Sequence, residues 1–496
     1  MRTRRHFLKT VLLGATAAGF PLGRRDGAAE AATAPVTRSL RGEHFDTCHA
    51  VRDSARLPTA EVTASHDVVI VGGGPSGLSA AYELRDRDLL LLDKEDVLGG
   101  NCILDEWEGV RMSTGGAFYT KSEGELVEFF DAIKAGGREV VGGDSLVVKG
   151  EPYLDFFRDG AARLPFSQRT RDDFRRSRDE VLKLARTKPQ DELDQIPFSE
   201  ILKPYDPVLT QFWDRFGPSN WGGVAAETSG AVGAWAYAWA GGADDPRWTF
   251  PGGMAGGARA LADWLKPKIG ERLVTGAAVY RVEAEGRSAV VRYMKDGRPE
   301  AVRARAVVVA APKFYASHIV PGLPAAQRAA MRAIRYAPFP VFNVCLKSPG
   351  PEPAYDNWFL DTPFTDFIPA DWILWAGKGP RERRTALTVY HPLPVARRSE
   401  LLVDELVLAM ADAVADALER HFPGTLEKIA EVRVFRRGHP MYVSSPGREA
   451  LAKAASVPFG PIHFANTDSD VPVSSFDSAL TAARRAVAEV RKDLAS

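Results

Sequence analysis

Hydrophobic residues fall into two kinds of segment along the chain: short continuous runs and longer stretches with helical spacing. The first run, Asp67–Val71, is rich in β-branched residues, and a helix-like stretch follows from Leu78 to Arg85. A second apolar run covers Leu89–Leu92. Short runs of this kind are typical of strands buried on both faces of a parallel sheet. The order strand, helix, strand therefore predicts an α/β unit.

The same two patterns recur through the rest of the chain. Short apolar runs predict further strands at Val279–Val282, Ala289–Tyr293, Val307–Pro312 and Val341–Leu346. Helical spacing predicts helices at Gly124–Ala135, Asp172–Ala185, Ala258–Leu265, Leu401–His421 and Ser478–Leu494. Ser475 or Asp477 is in position to cap the first turn of the last of these helices.

The turn between the first predicted strand and helix is rich in glycine. Gly72 permits a tight turn there, Gly74 lets the backbone approach a pyrophosphate, and Gly77 lets the helix pack closely on the strand. The helix N-terminus adds free N–H groups and a partial positive charge for phosphates. Asp93 closes the second strand about 20 residues later, where an acidic side chain binds ribose hydroxyls. The segment predicts a dinucleotide site that includes Gly72, Gly74, Pro75, Ser76, Gly77, Asp93 and Lys94.

Two further glycine pairs indicate which dinucleotide is bound. Leu98-Gly99-Gly100-Asn101 follows the second strand, and Gly115-Gly116-Ala117 comes shortly after it. These segments resemble the flavin-containing amine oxidase superfamily, in which the first doublet touches the pyrophosphate and ribityl chain of FAD and the second passes close to the flavin ring. The resemblance implies FAD as the cofactor. It also implies that Gly99, Gly100, Asn101, Gly115 and Gly116 bind it, with Asn101 standing where the family usually has arginine.

The resemblance extends to two later parts of the chain. Phe250–Met254 opens a helix as in the family's return to the FAD domain, and the family residue at the Val279 position meets the adenine through its backbone. Ile462–Asp468 resembles the C-terminal motif, which implies that Asp468 binds the ribityl chain.

The fold implied by the resemblance is α/β. A Rossmann-like FAD-binding domain is interleaved with a substrate domain that has α+β character, built from a mixed sheet plus helices. The predicted FAD domain comprises residues 66–118, 250–312 and 435–496. The predicted substrate domain comprises residues 119–249 and 313–434.

Flavin chemistry needs few side chains, because the flavin N5 accepts the hydride and the protein supplies orientation, desolvation and electronic tuning. Many relatives carry a lysine that holds a water against N5, a few residues after the proline that closes a strand. In this chain that position falls at Ser317 or His318, and the nearby lysine is Lys313. His318 is a candidate to hold the water or to act as a base, and an ordinary core or surface histidine is the alternative.

A second set of candidates lies in Arg437–Tyr442, which matches the family segment that runs beside the flavin ring. His439 falls near the position at which some relatives carry a cysteine bonded to the flavin. It is expected to hydrogen-bond the flavin, to contact substrate or to form a covalent link. Tyr442 is a candidate wall of the substrate site, although aromatic residues usually pack in cores. The predicted catalytic residues are thus His318, His439 and Tyr442.

Composition narrows the range of partners. The chain has 496 residues, with 64 Lys plus Arg and 64 Asp plus Glu, so its formal net charge is zero. This balance gives no sign of the basic face typical of nucleic-acid binding, and a small-molecule substrate is expected instead. The cysteines, Cys48, Cys102 and Cys345, have no zinc-ligand spacing, so no metal is expected.

The N-terminal segment resembles a bacterial twin-arginine export signal. Residues 3–9 read Thr-Arg-Arg-His-Phe-Leu-Lys, and Ala29-Glu30-Ala31 supplies small residues for a signal peptidase. The resemblance implies a signal peptide at 1–31, the twin-arginine translocase as a partner, and a periplasmic or extracellular location. Residues 32–65 then form an N-terminal extension. No other apolar run reaches about 18 residues, so no stable membrane span is predicted.

Three functions are compatible with these features. The first is an oxidase that takes a hydride from an amine or amino acid onto FAD and passes electrons to O2 or another acceptor. The second is an FAD-dependent desaturase or dehydrogenase of an apolar, carotenoid- or porphyrinogen-like substrate. The third is a non-redox FAD scaffold such as a sugar mutase. The resemblance favours the first function.

Overall fold

The computed structural model describes residues 36–41, 44–241, 246–375, 383–469 and 473–495, and the predicted signal peptide lies outside these ranges. The strands are β1 (Arg38–Arg41), β2 (Val62–Val71), β3 (Leu89–Leu92), β4 (Leu104–Trp107), β5 (Val110–Ser113), β6 (Tyr119–Thr120), β7 (Arg138–Glu139), β8 (Asp144–Val148), β9 (Glu151–Leu154), β10 (Arg247–Thr249), β11 (Leu273–Val274), β12 (Ala277–Glu285), β13 (Ser288–Lys295), β14 (Arg298–Val309), β15 (Tyr336–Ala337), β16 (Val341–Leu346), β17 (Asp356–Phe359), β18 (Asp366–Pro369), β19 (Thr385–Tyr390), β20 (Ile429–Phe435), β21 (Met441–Tyr442) and β22 (Ile462–Phe464).

The α-helices are α1 (Asp46–Arg52), α2 (Pro75–Glu83), α3 (Gly124–Ala132), α4 (Gln168–Thr187), α5 (Gln190–Asp194), α6 (Phe198–Leu202), α7 (Pro207–Trp221), α8 (Gly230–Ala236), α9 (Gly253–Ile269), α10 (Lys313–Ile319), α11 (Ala325–Ala333), α12 (Trp372–Trp375), α13 (Asp404–His421), α14 (Thr425–Lys428), α15 (Arg448–Ala455) and α16 (Phe476–Ala495). Among the residues described, no helix is both long enough and apolar enough to cross a membrane.

The first sheet has seven strands and contains the glycine-rich turn. Its order is β11-β3-β2-β14-β13-β12, with β22 also pairing with β14. β2 pairs in parallel with β3 and β14, and β14 pairs in parallel with β22. The run Val68–Val71 is buried on both faces of this sheet, as the continuous apolar pattern predicts.

Helices cover both faces of the first sheet. On one face, α2, α9 and α16 share a hydrophobic core with alternate strand residues such as Val68 and Ile70. On the other face, α10 and α11 pack against Val69 and Val71. The predicted division placed residues 313–333 in the substrate part, but these two helices pack on the nucleotide sheet.

The second sheet has eight strands in the order β1-β20-β16-β19-β18-β17-β8-β9. Parallel and antiparallel pairs both occur, because β1 runs parallel to β20 whereas β16 runs antiparallel to β19. The helix α13 packs on one face through residues such as Val407 and Leu418. The α/β fold with a mixed sheet in its substrate part is thereby confirmed. The strand β1 comes from the predicted N-terminal extension, so that extension is part of the fold.

A helical layer of α4 to α8 has a core made mainly of aromatic side chains. Trp213 and Tyr237 lie at its centre, and the Trp213 indole donates a hydrogen bond to the Tyr237 hydroxyl at 2.9 Å. The Tyr237 side chain is 1% exposed and belongs to this core.

Element boundaries follow the predictions closely where local sequence sets them. Leu89–Leu92 and Val341–Leu346 are strands over exactly those residues. The last helix begins at Phe476, and the Ser475 hydroxyl accepts the Ser478 N–H at 3.0 Å, so Ser475 acts as the cap. The strand β2 begins earlier than predicted, at Val62, because β14 extends far enough to pair with it.

Candidate active site

A cavity of about 1300 Å³ is lined by residues of both sheets. One part of its wall is the glycine-rich turn after β2, together with residues 93–95 and 100–102. Another part comes from the second sheet and the helical layer, including Trp221, Trp358 and Tyr390. The cavity is therefore continuous from the predicted dinucleotide site to a chamber suited to a small molecule.

The turn after β2 forms a cradle for an anionic group. Gly74 caps α2 and Pro75 is its first residue, so the first-turn N–H groups are not used within the helix. The Ser76 hydroxyl is buried and has no hydrogen-bond partner within the described protein. Gly72, Gly74, Pro75 and Ser76 all line the cavity. Unused donors at a helix N-terminus suit a pyrophosphate.

Glycine is required in this cradle because two backbone segments touch. A Cβ on Gly77 would lie 1.8 Å from the Gly72 carbonyl oxygen, so Gly77 serves close packing and does not line the cavity itself. A Cβ on Gly100 would lie 2.7 Å from the Gly74 Cα. Gly100 lines the cavity, whereas Gly99 beside it does not and has a φ of 132°.

Asp93 lies at the end of β3, facing the cradle. Its carboxylate accepts the backbone N–H of Gly73 and, at 2.7 Å, that of Glu95. Burial raises the pKa of Asp93, although these two hydrogen bonds oppose the shift. Lys94 forms an ion pair with Glu95, and all three of these charged residues line the cavity. The remaining lone pairs of the Asp93 carboxylate can accept hydroxyl groups.

The Gly115–Ala117 segment lies between the cradle and the second sheet. The Tyr390 hydroxyl donates to the Gly115 carbonyl at 3.0 Å, and the Tyr355 hydroxyl donates to that of Ala117 at 3.2 Å. Gly115 and Gly116 line the cavity. A Cβ on Gly115 would lie 2.1 Å from the Asn101 carbonyl oxygen, so this segment packs directly on the first glycine doublet.

Asn101 and Arg437 form a polar group on the cavity wall. The Asn101 amide donates to the Pro440 carbonyl at 2.9 Å. The Arg437 guanidinium donates to the Asn101 amide oxygen at 3.5 Å and to the Thr114 hydroxyl at 3.3 Å. Arg437 is 7% exposed and its Nε has no hydrogen-bond partner within the described chain. A buried guanidinium that bonds only neutral groups suits an anionic ligand.

These features together fit FAD. The close backbone contacts leave room for a diphosphate, and Asp93 suits ribose hydroxyls. The Ser76 hydroxyl and the Arg437 Nε have no hydrogen-bond partner in the described chain, and both residues line the cavity, which suits an anionic dinucleotide. Val279 also lines the cavity, and its carbonyl accepts the Tyr315 hydroxyl at 2.6 Å. FAD, predicted from the glycine segments, therefore has a site built of this chain's own residues.

The structure places Asp468 differently from the prediction. Asp468 is fully buried behind the cavity wall, and the wall itself contains Asn466 and Thr467. Its carboxylate pairs with the Lys313 ammonium at 2.8 Å and also accepts the Lys313 N–H and the Tyr336 hydroxyl. Asp468 thus holds α10 against the loop after β22. This ion pair also directs the Lys313 side chain away from the cavity.

The three predicted catalytic residues all line the cavity. Burial, aided by the neighbouring Arg398, lowers the pKa of His439 to about 3, so its imidazole is neutral and its ring lies 4.3 Å from that of Phe314. Burial and three arginines, Arg332, Arg328 and Arg52, also lower the pKa of His318. Tyr442 is fully buried, and Arg448 lies 3.8 Å above its ring. None of these groups is a strong base at neutral pH.

Three buried aspartates, Asp144, Asp356 and Asp366, lie on neighbouring strands of the second sheet. Asp356 is the register partner of Asp144, and Asp366 is the partner of both Trp358 and Tyr390. Asp144 pairs with Arg247 at 2.6 Å, and that guanidinium lies 4.7 Å above the Phe118 ring. Asp356 and Asp366 line the cavity, as do Phe118, Trp239, Trp358 and Tyr390.

Neither cavity-lining aspartate has an ion-pair partner within 4 Å in the described chain, although Arg215 acts on Asp366 and Arg247 acts on Asp356 at longer range. One oxygen of Asp356 is buried without a hydrogen-bond partner in the described chain, while Asp366 accepts the Thr365 hydroxyl at 2.6 Å. Burial raises the pKa of Asp366 to about 7, and burial followed by repulsion from Asp366 and Asp144 raises that of Asp356. Nowhere in the described ranges are three or more His, Cys, Asp or Glu arranged to hold a metal ion.

Sequence reasoning did not identify Asp356 or Asp366. A signal was present, because each carboxylate interrupts an apolar strand-like run, and charged residues are almost never fully buried without a reason. Sequence reasoning also assigned no site residues to the extension before residue 66. In the structure, however, the cavity is lined by Phe45, Cys48, His49 and Arg52.

Comparisons with known proteins agree with this geometry. The profile of the flavin containing amine oxidoreductase family matches residues 75–491. Oxidoreductase PigB of Serratia sp. is 25% identical over 260 residues, which cover 50% of this chain and 38% of that protein. The chain thus spans well under half of the length of this relative.

Two solved structures share the fold. A putrescine oxidase bound to putrescine has 19% sequence identity and a TM-score of 0.65, over 86% of this chain and 99% of that one. A protein from Exiguobacterium sp. assigned as a protoporphyrinogen oxidase has 16% identity and a TM-score of 0.64, over 88% of this chain and all of that one.

Proposed function

Because the chain belongs to the flavin-containing amine oxidoreductase family and is an FAD-dependent oxidoreductase, we propose that it oxidises a cationic amine. The observation that carries this proposal is the pair of aspartates, Asp356 and Asp366, on the wall of an aromatic chamber. Two buried carboxylates without a direct ion-pair partner in the described chain favour a positively charged ligand. The similarity to a putrescine oxidase supports the same substrate class.

The roles of the side chains follow from this assignment. Asp356 and Asp366 bind the substrate ammonium and hold its proton when the amine becomes neutral. Phe118, Trp239 and Trp358 supply apolar walls and π-faces that attract a cation and exclude water. Bound FAD supplies the redox chemistry, accepting a hydride at N5 and returning electrons to O2 with formation of H2O2.

His439 and Arg437 have supporting roles in this proposal. His439 stays neutral at working pH, because burial and Arg398 lower its pKa to about 3. The neutral imidazole orients the flavin or the substrate by hydrogen bonding. Arg437 offers its unpartnered Nε and its charge to an anionic part of the cofactor. His318 and Tyr442 remain predicted contacts.

A second candidate is oxidation of an apolar substrate of porphyrinogen type. The large aromatic share of the cavity wall, with Trp221, Trp239 and Phe339 among its residues, favours it. The similarity to the Exiguobacterium protein points the same way. Against it stands the cost of leaving two aspartates beside an apolar ligand that cannot pair with them.

The test compares substrates and one variant. The FAD-loaded protein is mixed anaerobically with putrescine, benzylamine, L-amino acids or protoporphyrinogen IX, and flavin reduction is followed by absorbance. At least one amine should reduce the flavin. For that amine, Asp366→Asn should lower kcat/KM about 30-fold or more, since losing a buried charge partner costs about 2 kcal/mol or more.

The pH dependence provides an internal check. Because the pKa of Asp366 is raised to about 7, its negative charge is lost as the pH falls below that value. In the wild type, kcat/KM for the amine should therefore decline on the acid side of pH 7. Asp366→Asn has no carboxyl at this position, so the decline should disappear or move to a different pH. The control variant is Asp263→Asn, an exposed position on α9 outside the cavity wall. Reduction by protoporphyrinogen and by no amine would overturn the proposal.

A further inference from the structure

The N-terminal extension contributes a wall of the cofactor cavity. Phe45, Cys48, His49 and Arg52 all line it. Their spacing of three and four residues places them on one side of α1, which is the side turned to the cavity. Lys94, Val279 and Tyr315 also line the cavity.

The extension is fastened at several points around the cavity. The strand β1 pairs with β20 in the second sheet. The His44 N–H donates to the Glu95 carboxylate at 3.1 Å, and its Nδ1 lies 3.1 Å from the Lys94 carbonyl, in the segment after Asp93. The helix α1 packs on α10 and β12. The Cys48 thiol interacts with the Tyr315 hydroxyl, which in turn bonds to Val279.

The chemistry of the cavity-facing side suits a dinucleotide. The rings of Phe45 and His49 lie 4.8 Å apart with their planes tilted by 40°, and together they form an aromatic surface. Burial lowers the pKa of His49, which favours its neutral form. Arg52 supplies a guanidinium at the end of the helix, where it also pairs with Asp53. Aromatic faces stack on purines, and guanidinium groups bind phosphates.

We propose that α1 is a cofactor cover, a part of the FAD site that contacts the dinucleotide and retains it. Two observations carry this inference. Phe45, Cys48 and His49 line the cavity together with the residues that follow β3. The His44 N–H also anchors this segment to Glu95. The cover belongs to the same chain that forms the cradle. On this proposal α1 moves off α10 when FAD enters or leaves, and the packing of α1 slows the loss of FAD.

The experiment measures the reactivity of the Cys48 thiol. Protein is produced under riboflavin limitation, and half of it is reconstituted with FAD. Both halves are treated with N-ethylmaleimide, and peptide mass spectrometry follows modification of Cys48. FAD should slow this reaction at least tenfold. A control protein carrying Arg56→Cys, an exposed position outside the cavity wall, should show equal rates at residue 56 in both halves.

A second variant tests whether contact between FAD and the aromatic surface protects Cys48, or whether FAD merely makes the whole protein less flexible. In Phe45→Ala/His49→Ala, the aromatic surface is removed, so Cys48 in the FAD-loaded protein should react at a rate approaching that of the apoprotein. Equal Cys48 rates with and without FAD in the wild type would overturn the proposal. The measurement needs no substrate, so a protein that protects Cys48 but oxidises no amine would overturn only the proposed function.

Discussion

At the scale of single residues, the partner of each buried aspartate decides what that aspartate does. Asp468 and Asp144 are each held by a cation, Lys313 and Arg247 respectively, and serve the fold. Within the described chain, Asp356 and Asp366 have no direct ion-pair partner of this kind, and they line the cavity. Because a buried carboxylate is costly unless it is paired, these two positions are where function has been favoured over stability.

Replacement of Asp366 should therefore stabilise the protein at high pH. The pKa of Asp366 is about 7 in the folded protein, against an ordinary value of 3.8, so the folded state binds a proton more tightly than the unfolded state. Wild-type stability consequently falls as the pH rises from about 4 to about 7. Asp366→Asn lacks this loss. We expect its free energy of unfolding to exceed that of the wild type by about 1–3 kcal/mol at pH 8, given 1.4 kcal/mol per pKa unit.

Urea unfolding of both proteins at pH 4 and pH 8 measures this difference. The gap should shrink at pH 4, where Asp366 is protonated in the folded protein. A variant that is less stable than the wild type at pH 8 would contradict the assignment of a raised pKa.

At the scale of elements, neighbouring strands set the position of the chamber. The register of β8, β17, β18 and β19 brings Asp144, Asp356 and Asp366 together with Tyr390, whose hydroxyl bonds to Gly115. The ion pair between Asp144 and Arg247 joins β8 to β10, a strand of a separate three-stranded sheet. This pair connects the eight-stranded sheet to the β6-β10-β7 sheet beside the chamber.

Removal of one partner of this pair should weaken the protein strongly. Arg247→Met leaves Asp144 buried and unpaired, and breaking a buried pair costs about 3–5 kcal/mol. The double variant Asp144→Asn/Arg247→Met removes both charges and should recover most of that loss. The measurement is the free energy of unfolding in guanidinium chloride. A double variant that is as unstable as Arg247→Met would show that the charge imbalance is not the cause.

At the scale of the whole molecule, the cofactor cavity is assembled from segments that are distant in the sequence. Its walls include α1, the turn after β2, residues 310–318, the segment after β20 and residues 466–467. The cavity that fits FAD therefore forms only once these segments have folded together. This agrees with our proposal that residues 1–31 direct twin-arginine export, a route used by proteins that fold around a cofactor before they leave the cytoplasm.

Export can be tested through the arginine pair. In a bacterial host with a twin-arginine translocase, Arg4→Lys/Arg5→Lys should keep the protein in the cytoplasmic fraction as a yellow, FAD-loaded protein. The matched control is Arg2→Lys, outside the pair, which should still be exported. Fractionation followed by immunoblotting and flavin absorbance gives the result. Equal export of the double variant would contradict the proposal.

The sequence by itself determined the features that depend on neighbouring residues. Gly72, Gly74 and Gly77 mark a turn whose geometry only glycine allows, and continuous apolar runs such as Val341–Leu346 mark buried strands. From these, the α/β fold and a dinucleotide site could be predicted, while FAD and the enzyme class followed from the family resemblance of the later glycine segments. Local steric limits and local burial leave their mark within a few residues, so they are legible without a structure.

The tertiary structure decided which distant residues meet. It turned Asp468 towards Lys313 and away from the cavity, and it brought Asp356 and Asp366 to the wall of the chamber. It also placed α1 at the wall of the cavity, although the sequence analysis predicted no role for the extension. Strand register and long-range ion pairs depend on segments that are often a hundred or more residues apart. The periodicity within one segment therefore does not predict them.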